Sequence, residues 1–377
     1  MKTLHVMTVF GTRPEAIKMA PLVLELKKHP LIKSSVTVTA QHRQMLDQVL
    51  KAFDITPDYD LNIMKERQTL AEITSNSLLK LDQLFQREKP DIVLVHGDTT
   101  TTFAGSLAAF YHQISVGHVE AGLRTNNKYS PFPEELNRQM TGNIADIHFA
   151  PTHEAKQNLL IENKKEETIF VTGNTAIDAL RTTVSEHYQH PILEKIGTDK
   201  LILLTAHRRE NLGQPMKNMF RAIRRVVEEF KDVQVVYPVH LNPAVRDAAL
   251  TEFGDLHRVH LVEPLDVVDF HNFAAASHFI LTDSGGVQEE APSLGKPVLV
   301  LRNTTERPEG VKAGTLKLAG TEEKRIYQLI KELLVNQAEY EKMSRASNPY
   351  GDGQASKRIV DMLLFQYGLI SEKSEEF

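Results

Sequence analysis

Small polar and charged residues follow the predicted strands of this chain, in patterns that could bind a phosphate or move a proton. In one of them, Ser284, Gly285 and Gly286 stand between an apolar run and a helix start. Such a turn presents free backbone N–H groups to an anion, and glycine lets the anion approach closely. Glu290 would lie about one helical turn further on, where a carboxylate could bind two sugar hydroxyls. Taken alone, the pattern fits an ordinary turn equally well, because a single glycine-rich turn is a weak signal.

Five charged residues of the first half of the chain also follow predicted strands or open predicted helices: Arg13, Lys18, Asp98, Glu120 and Glu134. Arg13 stands in the first strand-to-helix turn and is a candidate phosphate ligand, whereas Lys18 fits a solvated helix position equally well. Asp98 precedes four threonines and fits a helix N-cap as well as a functional acid. Glu120 precedes Ala-Gly, where capping is less natural, so we favour a functional role. Glu134 fits either a site carboxylate or a first-turn carboxylate stabilised by the helix dipole.

The second half of the chain carries a similar set of residues. His207 follows a predicted strand and precedes Arg208 and Arg209, so we interpret it as an acid or a phosphate ligand rather than a core histidine. His240 follows a further predicted strand, and Arg307 either binds a ligand or anchors its own loop. A purely structural protein has no need of a charged group at nearly every strand end. Acids and bases with arginines beside them suit a sugar joined to a nucleoside diphosphate.

Composition narrows the class of protein. The chain has 377 residues, of which 41% are hydrophobic and 25% charged, which favours an ordinary globular protein of two domains. A net charge of −5 lacks the basic surface that non-specific nucleic-acid binding requires, so we expect no nucleic-acid partner. The absence of cysteine excludes disulfides, thiolate zinc sites and cysteine nucleophiles. No apolar run has the length of a signal peptide or membrane span, so we expect a cytoplasmic protein without a membrane partner.

The elements that must position these residues are strands alternating with helices. The predicted strands are Leu4–Phe10, Ser35–Ala40, Asp91–His96, Ile114–Val119, Ile147–Ala150, Ile169–Val171, Leu201–Thr205, Val233–Tyr237, Val259–Leu261, Phe279–Leu281 and Val298–Val300. Their alternation with helices predicts an α/β fold with parallel sheets covered on both faces. We therefore predict two Rossmann-like doubly wound domains that face each other across a cleft, with ligands beyond the carboxyl ends of the strands. The first would comprise residues 1–178 and a returning C-terminal helix, 356–377, and the second residues 179–355.

Several familiar motifs are missing from the sequence. There is no Walker-type Gly-x-x-x-x-Gly-Lys, and no Gly-x-Gly-x-x-Gly follows a predicted strand, so ATP hydrolysis and ordinary dinucleotide redox chemistry lose support. There is also no His-Glu-x-x-His, which argues against a zinc site. We expect no cofactor and no metal.

Six long motifs resemble those of the bacterial non-hydrolysing UDP-N-acetylglucosamine 2-epimerases. These motifs are Gly11–Lys18, His96–Thr102, Gly117–Arg124, His207–Glu210, Thr282–Glu290 and Asn348–Gly353. The resemblance runs from about Val6 to Ile359. It implies a glycosyltransferase-B fold with UDP bound by the second domain, and interconversion of UDP-N-acetylglucosamine (UDP-GlcNAc) and UDP-N-acetylmannosamine (UDP-ManNAc) without NAD or metal. It further implies a homodimer whose product supplies surface polysaccharide or teichoic acid synthesis.

The same resemblance implies roles for individual residues. It places the diphosphate at Arg13, Ser284, Gly285 and Gly286, ribose at Glu290, uracil near Phe270 and further ligand contacts at Arg307. The positions that match catalytic-pocket residues are Lys18, Asp98, Glu120, Glu134 and His207. Some members of the family bind a second UDP-GlcNAc as an allosteric activator, and the matching positions are Gln41, Gln44, Arg67, Glu134, Arg208 and His240.

The chemistry of the substrate fits this set of residues. The hydrogen at C2 is not acidic, so we expect the C1–O bond to break first, followed by proton loss to give a 2-acetamidoglucal and UDP. Asp98, Glu120 and Glu134 are the candidate acids and bases, and the sequence does not assign them to the two faces of the sugar. His207 could protonate or bind the leaving phosphate. A glycosyltransferase of the same fold, a hydrolysing epimerase and a UDP-sugar sensor remain alternatives.

Overall fold

The protein, described here as a computed structural model, is defined for residues 3–41, 43–65 and 67–377, and it divides into two compact units. Unit 1 comprises residues 1–182 and 350–377, and unit 2 comprises residues 183–349. These boundaries differ by a few residues from the predicted 178/179 and 355/356. Thr183 belongs to unit 2 because its hydroxyl lies 2.7 Å from His271 Nδ1. Tyr350 belongs to unit 1 because its carbonyl accepts a hydrogen bond from the Asn174 N–H at 2.7 Å.

Strands and helices alternate along most of the chain. The strands are β1 (Leu4–Phe10), β2 (Ile32–Val38), β3 (Tyr59–Asp60), β4 (Ile92–His96), β5 (Ser115–Val119), β6 (Ile147–Ala150), β7 (Ile169–Val171), β8 (Lys200–Thr205), β9 (Val233–Pro238), β10 (Val259–Val262), β11 (Phe279–Thr282), β12 (Val298–Val300) and β13 (Leu316–Leu318). The helices are α1 (Arg13–Lys28), α2 (Arg43–Ala52), α3 (Leu70–Glu88), α4 (Thr100–Tyr111), α5 (Glu134–Ile144), α6 (His153–Ile161), α7 (Thr175–Thr183), α8 (Pro191–Ile196), α9 (Gln214–Glu229), α10 (Pro243–Phe253), α11 (Val267–Ala276), α12 (Gly285–Glu290), α13 (Pro308–Ala313), α14 (Glu323–Val335), α15 (Gln337–Ser344) and α16 (Ala355–Gln366). Short 3₁₀ turns cover Glu166–Thr168, Arg209–Asn211 and Ala291–Leu294.

Unit 1 contains a seven-stranded parallel sheet with the order β3-β2-β1-β4-β5-β6-β7. Its central strands β1 and β4 are buried along their whole length, as their mostly apolar sequences favour. The strand order reverses between β1 and β4, because β2 lies on one side of β1 and β4 on the other. In doubly wound sheets this reversal opens a crevice at the carboxyl ends of the two strands, where ligands bind.

Unit 2 repeats the arrangement with six parallel strands in the order β10-β9-β8-β11-β12-β13. The reversal now lies between β8 and β11, the strands that precede the His207 loop and the Ser284 turn. The predicted fold class, two Rossmann-like domains with parallel sheets, is confirmed. The predicted cleft between the domains stays a prediction.

The last helix, α16, belongs to unit 1 although unit 2 separates it from the rest of that unit. It packs against α1, and the carboxylate of Asp178 accepts hydrogen bonds from the N–H groups of Ala355 and Ser356 at 3.2 and 2.7 Å. Asp178 thus satisfies two of the unpaired N–H groups at the start of α16. Among the described residues, no helix combines the length and the apolar character needed to cross a bilayer.

Two strands of unit 1 differ from those predicted from the hydrophobic periodicity of the sequence. Strand β2 begins at Ile32, three residues before the predicted start, because it pairs with β1 from Leu4 onward and the polar Lys33 and Ser34 hide that pairing. It also ends at Val38 rather than Ala40, which adopts a left-handed backbone with φ of +55°. The two-residue strand β3 was not predicted, since a strand of this length carries no alternation.

Candidate active site

Glu120 follows β5 in unit 1, and its side chain is held from several directions. Its Oε2 atom contacts Lys18 Nζ and accepts a hydrogen bond from Asn174 Nδ2 at 3.0 Å. His96 Nε2 lies 3.9 Å from the same oxygen. The backbone of Glu120 has φ of +62°, a conformation that a non-glycine residue keeps only where its surroundings enforce it. Lys18 and Glu120, predicted separately, therefore form one ion pair.

Two buried histidines, His96 and His118, lie on β4 and β5, the strands that precede Asp98 and Glu120. Burial lowers the pKa of His96 to about 4, so the imidazole is neutral at neutral pH and Lys18 supplies the positive charge beside Glu120. His96 Nε2 has no hydrogen-bond partner within the described part of the chain. Burial also lowers the pKa of His118 to about 3, and its Nε2 lies 2.7 Å from the Gly97 carbonyl oxygen. His118 thereby contacts the loop after β4 through a neutral imidazole.

Asp98 lies in that loop and is paired with a cation of its own. Arg138 of α5 approaches its Oδ2 with Nε at 2.9 Å and Nη2 at 2.6 Å. The N-cap of α4 is Thr99, whose hydroxyl accepts a hydrogen bond from the Thr102 N–H at 3.1 Å. The N-cap alternative for Asp98 is therefore wrong, and its carboxylate remains available beyond the carboxyl end of β4.

The adjacent residues Glu134 and Glu135 have different environments. Glu134 is the first residue of α5 and partly exposed, where the helix dipole favours a negative charge. Glu135 is fully buried and accepts hydrogen bonds from the N–H groups of Thr125 and Asn126, each at 3.1 Å, and from Arg138 Nη1 at 3.1 Å. Burial by itself raises the pKa of Glu135, but these hydrogen bonds outweigh it and the pKa lies below its ordinary value. Glu135 thus anchors the loop before α5 and fixes Arg138 against Asp98.

In unit 2 a buried aspartate that the sequence analysis did not single out joins the two loops at the strand reversal. Asp283 is fully buried, and its carboxylate accepts hydrogen bonds from the N–H groups of His207 and Arg208, each at 2.9 Å, and from Asn211 Nδ2 at 3.0 Å. It therefore ties the loop after β8 to the turn after β11. The sequence signal for Asp283 was a carboxylate directly after an apolar strand. A carboxylate at such a position can bind buried backbone N–H groups as readily as it can take part in catalysis.

His207 is partly exposed and lies against His240. The two rings stack with centroids 5.4 Å apart and planes inclined by 11°, and His207 Nδ1 lies 3.5 Å from Asp283 Oδ1. Burial lowers the pKa of His207, and the nearby His240 and Arg208 lower it further against the opposing effect of Asp283. The lowered pKa favours the neutral imidazole in the free protein.

Two guanidinium groups flank the Gly-Gly turn. A Cβ atom built on Gly285 would lie 3.5 Å from Glu306 Oε1, 3.6 Å from Arg307 Nη2 and 3.8 Å from Arg208 Nη2. Ser284 holds the N-cap position of α12 but makes no side-chain capping hydrogen bond. Arg208 is balanced by Glu306 at 3.1 Å, and Arg307 by a buried glutamate, Glu289. The structure thus brings Arg208 and Arg307 together at the turn that the sequence analysis singled out.

The other predicted ligand contacts of unit 2 lie on α11 and α12. Glu290 is the last residue of α12, and its Oε2 lies 3.6 Å from His271 Nε2 on α11. Phe270 precedes His271 and is partly buried against the hydrophobic core below β8 and β11. Glu290 Oε1 lies 4.0 Å from where a Cβ of Gly286 would stand, which keeps the carboxylate close to the turn.

The six residues predicted to bind an activator are divided between the units. Gln41, Gln44, Arg67 and Glu134 belong to unit 1, and Arg208 and His240 to unit 2. The Gln41 side-chain oxygen accepts a hydrogen bond from the Thr101 hydroxyl at 3.1 Å, whereas Gln44 and Arg67 are exposed. Within the described ranges no group of three or more histidine, aspartate or glutamate side chains could hold a metal ion.

Comparison with known proteins gives one consistent result. The family model described as UDP-N-acetylglucosamine 2-epimerase matches residues 24–364. A UDP-N-acetylglucosamine 2-epimerase of Bacillus subtilis (strain 168) is 78% identical over 377 residues, which is 100% of this chain and 99% of that protein. A crystal structure of UDP-N-acetylglucosamine 2-epimerase superposes with a TM-score of 0.94 at 77% identity, covering 100% of both chains. The Neisseria meningitidis UDP-GlcNAc 2-epimerase bound to UDP-GlcNAc superposes with a TM-score of 0.86 at 53% identity, covering 96% of this chain and 100% of that one.

These matches agree with the motifs and with the two parallel sheets. They cover nearly the whole chain, including the loops that carry Glu120, Asp98 and the Gly-Gly turn. The chain belongs to the UDP-N-acetylglucosamine 2-epimerase family of enzymes.

Proposed function

We propose that the protein interconverts UDP-GlcNAc and UDP-ManNAc by eliminating UDP and adding it back, with no hydrolysis. The observation that carries this proposal is the pair of acids at the ends of neighbouring strands. Asp98 follows β4 and Glu120 follows β5, β4 and β5 are adjacent in the sheet, and each acid has its own cation. A protein that only bound the substrate would have no use for two such carboxylates.

The proposed reaction proceeds through one intermediate in each direction. The C1–O bond breaks first, and its electron pair leaves with the β-phosphate oxygen of UDP. The positive character at C1 acidifies the C2 hydrogen, which passes to a base as the C1=C2 double bond of 2-acetamidoglucal forms. An acid then returns a proton to the opposite face of C2, and the UDP oxygen adds back to C1. Atoms and electrons balance without an oxidant or reductant.

Asp98, Glu120 and Glu134 are the proposed acids and bases of this sequence. Glu120 contacts Lys18 and Asp98 pairs with Arg138, so each carboxylate is held in place by a cation. Either residue is a candidate for the removal of the C2 proton. Their assignment to the two faces of the sugar stays open, as it does for Glu134.

UDP is proposed to bind mainly to unit 2. The diphosphate would contact Ser284, Gly285 and Gly286, together with Arg13 of unit 1. The two guanidinium groups beside Gly285 support this, because preorganised cations and N–H groups stabilise the negative charge that develops on the leaving diphosphate. His207 would protonate or bind the leaving phosphate.

The nucleoside part of UDP is proposed to bind along α11 and α12. Glu290 would bind ribose, and uracil would lie near Phe270. The structure of the Neisseria meningitidis relative contains UDP-GlcNAc, which supports a UDP-sugar as the ligand. Arg307 would provide a further contact.

A second UDP-GlcNAc is proposed to act as an activator at Gln41, Gln44, Arg67, Glu134, Arg208 and His240. The stacking of His240 on His207 supports this proposal, because a ligand that moved His240 would also change the environment of a proposed active-site residue.

The remaining parts of the proposal rest on the family resemblance. We propose that the enzyme is a homodimer, that it acts in the cytoplasm, and that its product supplies surface polysaccharide or teichoic acid synthesis. A solution mass near that of one chain would remove the dimer from this proposal.

Incubation with UDP-GlcNAc in D₂O tests the reaction. Since the C2 hydrogen is lost and replaced, we expect NMR to detect UDP-ManNAc with deuterium at C2 and no need for added cofactor. Free N-acetylmannosamine among the products would identify a hydrolysing enzyme instead. Unchanged substrate would contradict the proposal and leave the transferase and sensor alternatives, which an added sugar acceptor would separate.

The substitutions Asp98→Asn and Glu120→Gln should each lower the turnover number by at least ~100-fold, because a positioned proton-transfer group contributes about 10²–10⁴-fold. The affinity for UDP, measured by calorimetry, should change little because unit 2 is the proposed binding unit. Asp82→Asn is the control, since Asp82 is paired with His112 on the outer helices of unit 1. Wild-type turnover in both active-site variants would refute the assignment of the carboxylates.

The Glu290–ribose contact can be measured with 2′-deoxy-UDP. Because a hydrogen bond to a charged group is worth about 1.5–3 kcal/mol, the wild-type protein should bind UDP at least ~10-fold more tightly than 2′-deoxy-UDP. Glu290→Gln should remove most of this difference, whereas Glu263→Gln, at a glutamate paired with Arg246 elsewhere in unit 2, should preserve it. Equal discrimination by Glu290→Gln and the wild-type protein would place ribose elsewhere.

The activator proposal predicts that UDP-ManNAc alone reacts slowly and that a small amount of UDP-GlcNAc accelerates its conversion by about 5–150-fold, the usual range of allosteric coupling. Arg67→Ala should weaken this acceleration, whereas Lys51→Ala, at an exposed position of α2, should not. Initial rates across a range of UDP-GlcNAc concentrations provide the measurement. A wild-type enzyme that converts UDP-ManNAc alone at the full rate has no such activator site.

A further inference from the structure

The side-chain amide of Asn174 has a single possible orientation. Asn174 is buried between β7 and α7, and its Oδ1 accepts a hydrogen bond from the Ala176 N–H at 2.9 Å. Because that N–H can only donate, the atom facing it must be the amide oxygen. The amide nitrogen therefore points the other way, where Nδ2 donates to Glu120 Oε2 at 3.0 Å.

Three elements of unit 1 converge on this one carboxylate oxygen. Lys18 reaches it from α1, Asn174 from the start of α7, and His96 at the end of β4 lies 3.9 Å away. Lys18 contributes charge on a long, flexible side chain. Asn174 contributes a neutral donor on a short side chain that is bonded at its other end, so it restricts the direction of the carboxylate more tightly than Lys18 does.

The position of Asn174 is set in turn by the segment that returns from unit 2 to unit 1. The Asn174 N–H donates to the carbonyl oxygen of Tyr350 at 2.7 Å. A Cβ atom on Gly351 would lie 3.3 Å from Asn174 N and 3.2 Å from Ile177 Cγ1, and one on Gly173 would lie 3.3 Å from Gly351 Cα. The two chain segments can approach this closely because neither glycine has a side chain.

The far end of the returning segment is anchored by charge. Asp352 forms two hydrogen bonds of 2.8 Å with the guanidinium of Arg358 on α16, and its carbonyl oxygen accepts a hydrogen bond from Arg181 Nη2 at 3.0 Å. The segment is therefore held on both sides of Gly351, and it presents the Tyr350 carbonyl to Asn174 as a fixed acceptor.

We propose that Asn174 is a positioning residue that orients Glu120 for proton transfer, and that the returning segment Tyr350–Gly353 holds Asn174 in place. The inference rests on the proposed acid–base role of Glu120. The returning segment thereby acts on the site through a hydrogen-bond series from Tyr350 to Asn174 to Glu120. Neither Tyr350 nor Asn174 has to contact the substrate.

The substitution Asn174→Asp tests the inference, because an aspartate side chain has nearly the same shape as that of asparagine. An aspartate keeps the acceptor for the Ala176 N–H and is an equally good helix cap, but it replaces the donor facing Glu120 with a second carboxylate. The groups around Glu120 are then Lys18, the neutral His96, Asp98 beyond it, and the new aspartate. Since a like charge disfavours the ionised form of its neighbour, the acidic limb of the kcat/KM profile should move to higher pH by about one unit or more.

In the same variant, kcat near neutral pH should fall about 10-fold or more, because a hydrogen bond to a charged group has been lost. The affinity for UDP and the thermal unfolding midpoint should stay close to those of the wild type. Asn143→Asp, on the exposed surface of α5, adds the same charge away from Glu120 and should leave the pH profile unchanged.

A second variant tests the returning segment. Gly351→Ala should lower kcat/KM by about 10-fold. The added methyl group would displace the Tyr350 carbonyl from Asn174, and the expected loss is that of about one hydrogen bond to a charged group. Gly368→Ala is the matched control, since Gly368 also has positive φ but has open space where the Cβ would stand.

Measuring Glu120→Gln beside these variants tests the proposed role of Glu120 separately from the positioning role of Asn174. If Glu120→Gln is inactive while Asn174→Asp keeps the wild-type rate and pH profile, the positioning role is overturned and the role of Glu120 stands. If Glu120→Gln turns over at the wild-type rate, the proposed role of Glu120 fails and the positioning role fails with it. A shifted acidic limb in Asn174→Asp together with an inactive Glu120→Gln supports both.

Discussion

The structure depends on the burial of its parallel strands on both faces. Strands such as β1, β4, β8 and β11 are covered by helices and carry almost only apolar side chains, so polar chemistry can emerge only where the strands end. The parallel direction brings all carboxyl ends to one edge, and the reversal of strand order opens a crevice there. For this reason Asp98 and Glu120, which are 22 positions apart in the sequence, end adjacent strands.

Buried carboxylates then give the loops at this edge a fixed shape. Glu15 accepts hydrogen bonds from the N–H groups of Gly11 and Thr12, Glu135 from those of Thr125 and Asn126, and Asp283 from those of His207 and Arg208. Each of these carboxylates accepts hydrogen bonds from N–H groups that have no partner in a strand or helix. Burying such N–H groups without a partner would cost free energy. These acids therefore stabilise the loops rather than face a ligand.

The sequence predicted what depends on local pattern. The apolar strands, the Gly-Gly turn and the charged strand ends were visible as short-range features, and the fold class followed from their alternation. It did not reveal which of two neighbouring glutamates is buried, because Glu134 and Glu135 differ only in the direction of their side chains around a helix. Nor did it reveal Asp283 as the link between two loops, or Asn174 beside Glu120, because those contacts join segments more than 50 positions apart. Side-chain direction and long-range contact are decided by the packed structure.

The division of unit 1 by unit 2 has a consequence for the order of events during synthesis. Domains generally fold as the chain leaves the ribosome, N-terminal segments first. Residues 183–349 emerge before the segment 350–377, so unit 2 can fold while unit 1 still lacks the N–H groups of α16 that donate to Asp178 and the Tyr350 carbonyl that accepts from Asn174. Unit 1 is thus the first unit to begin folding and the last to be completed.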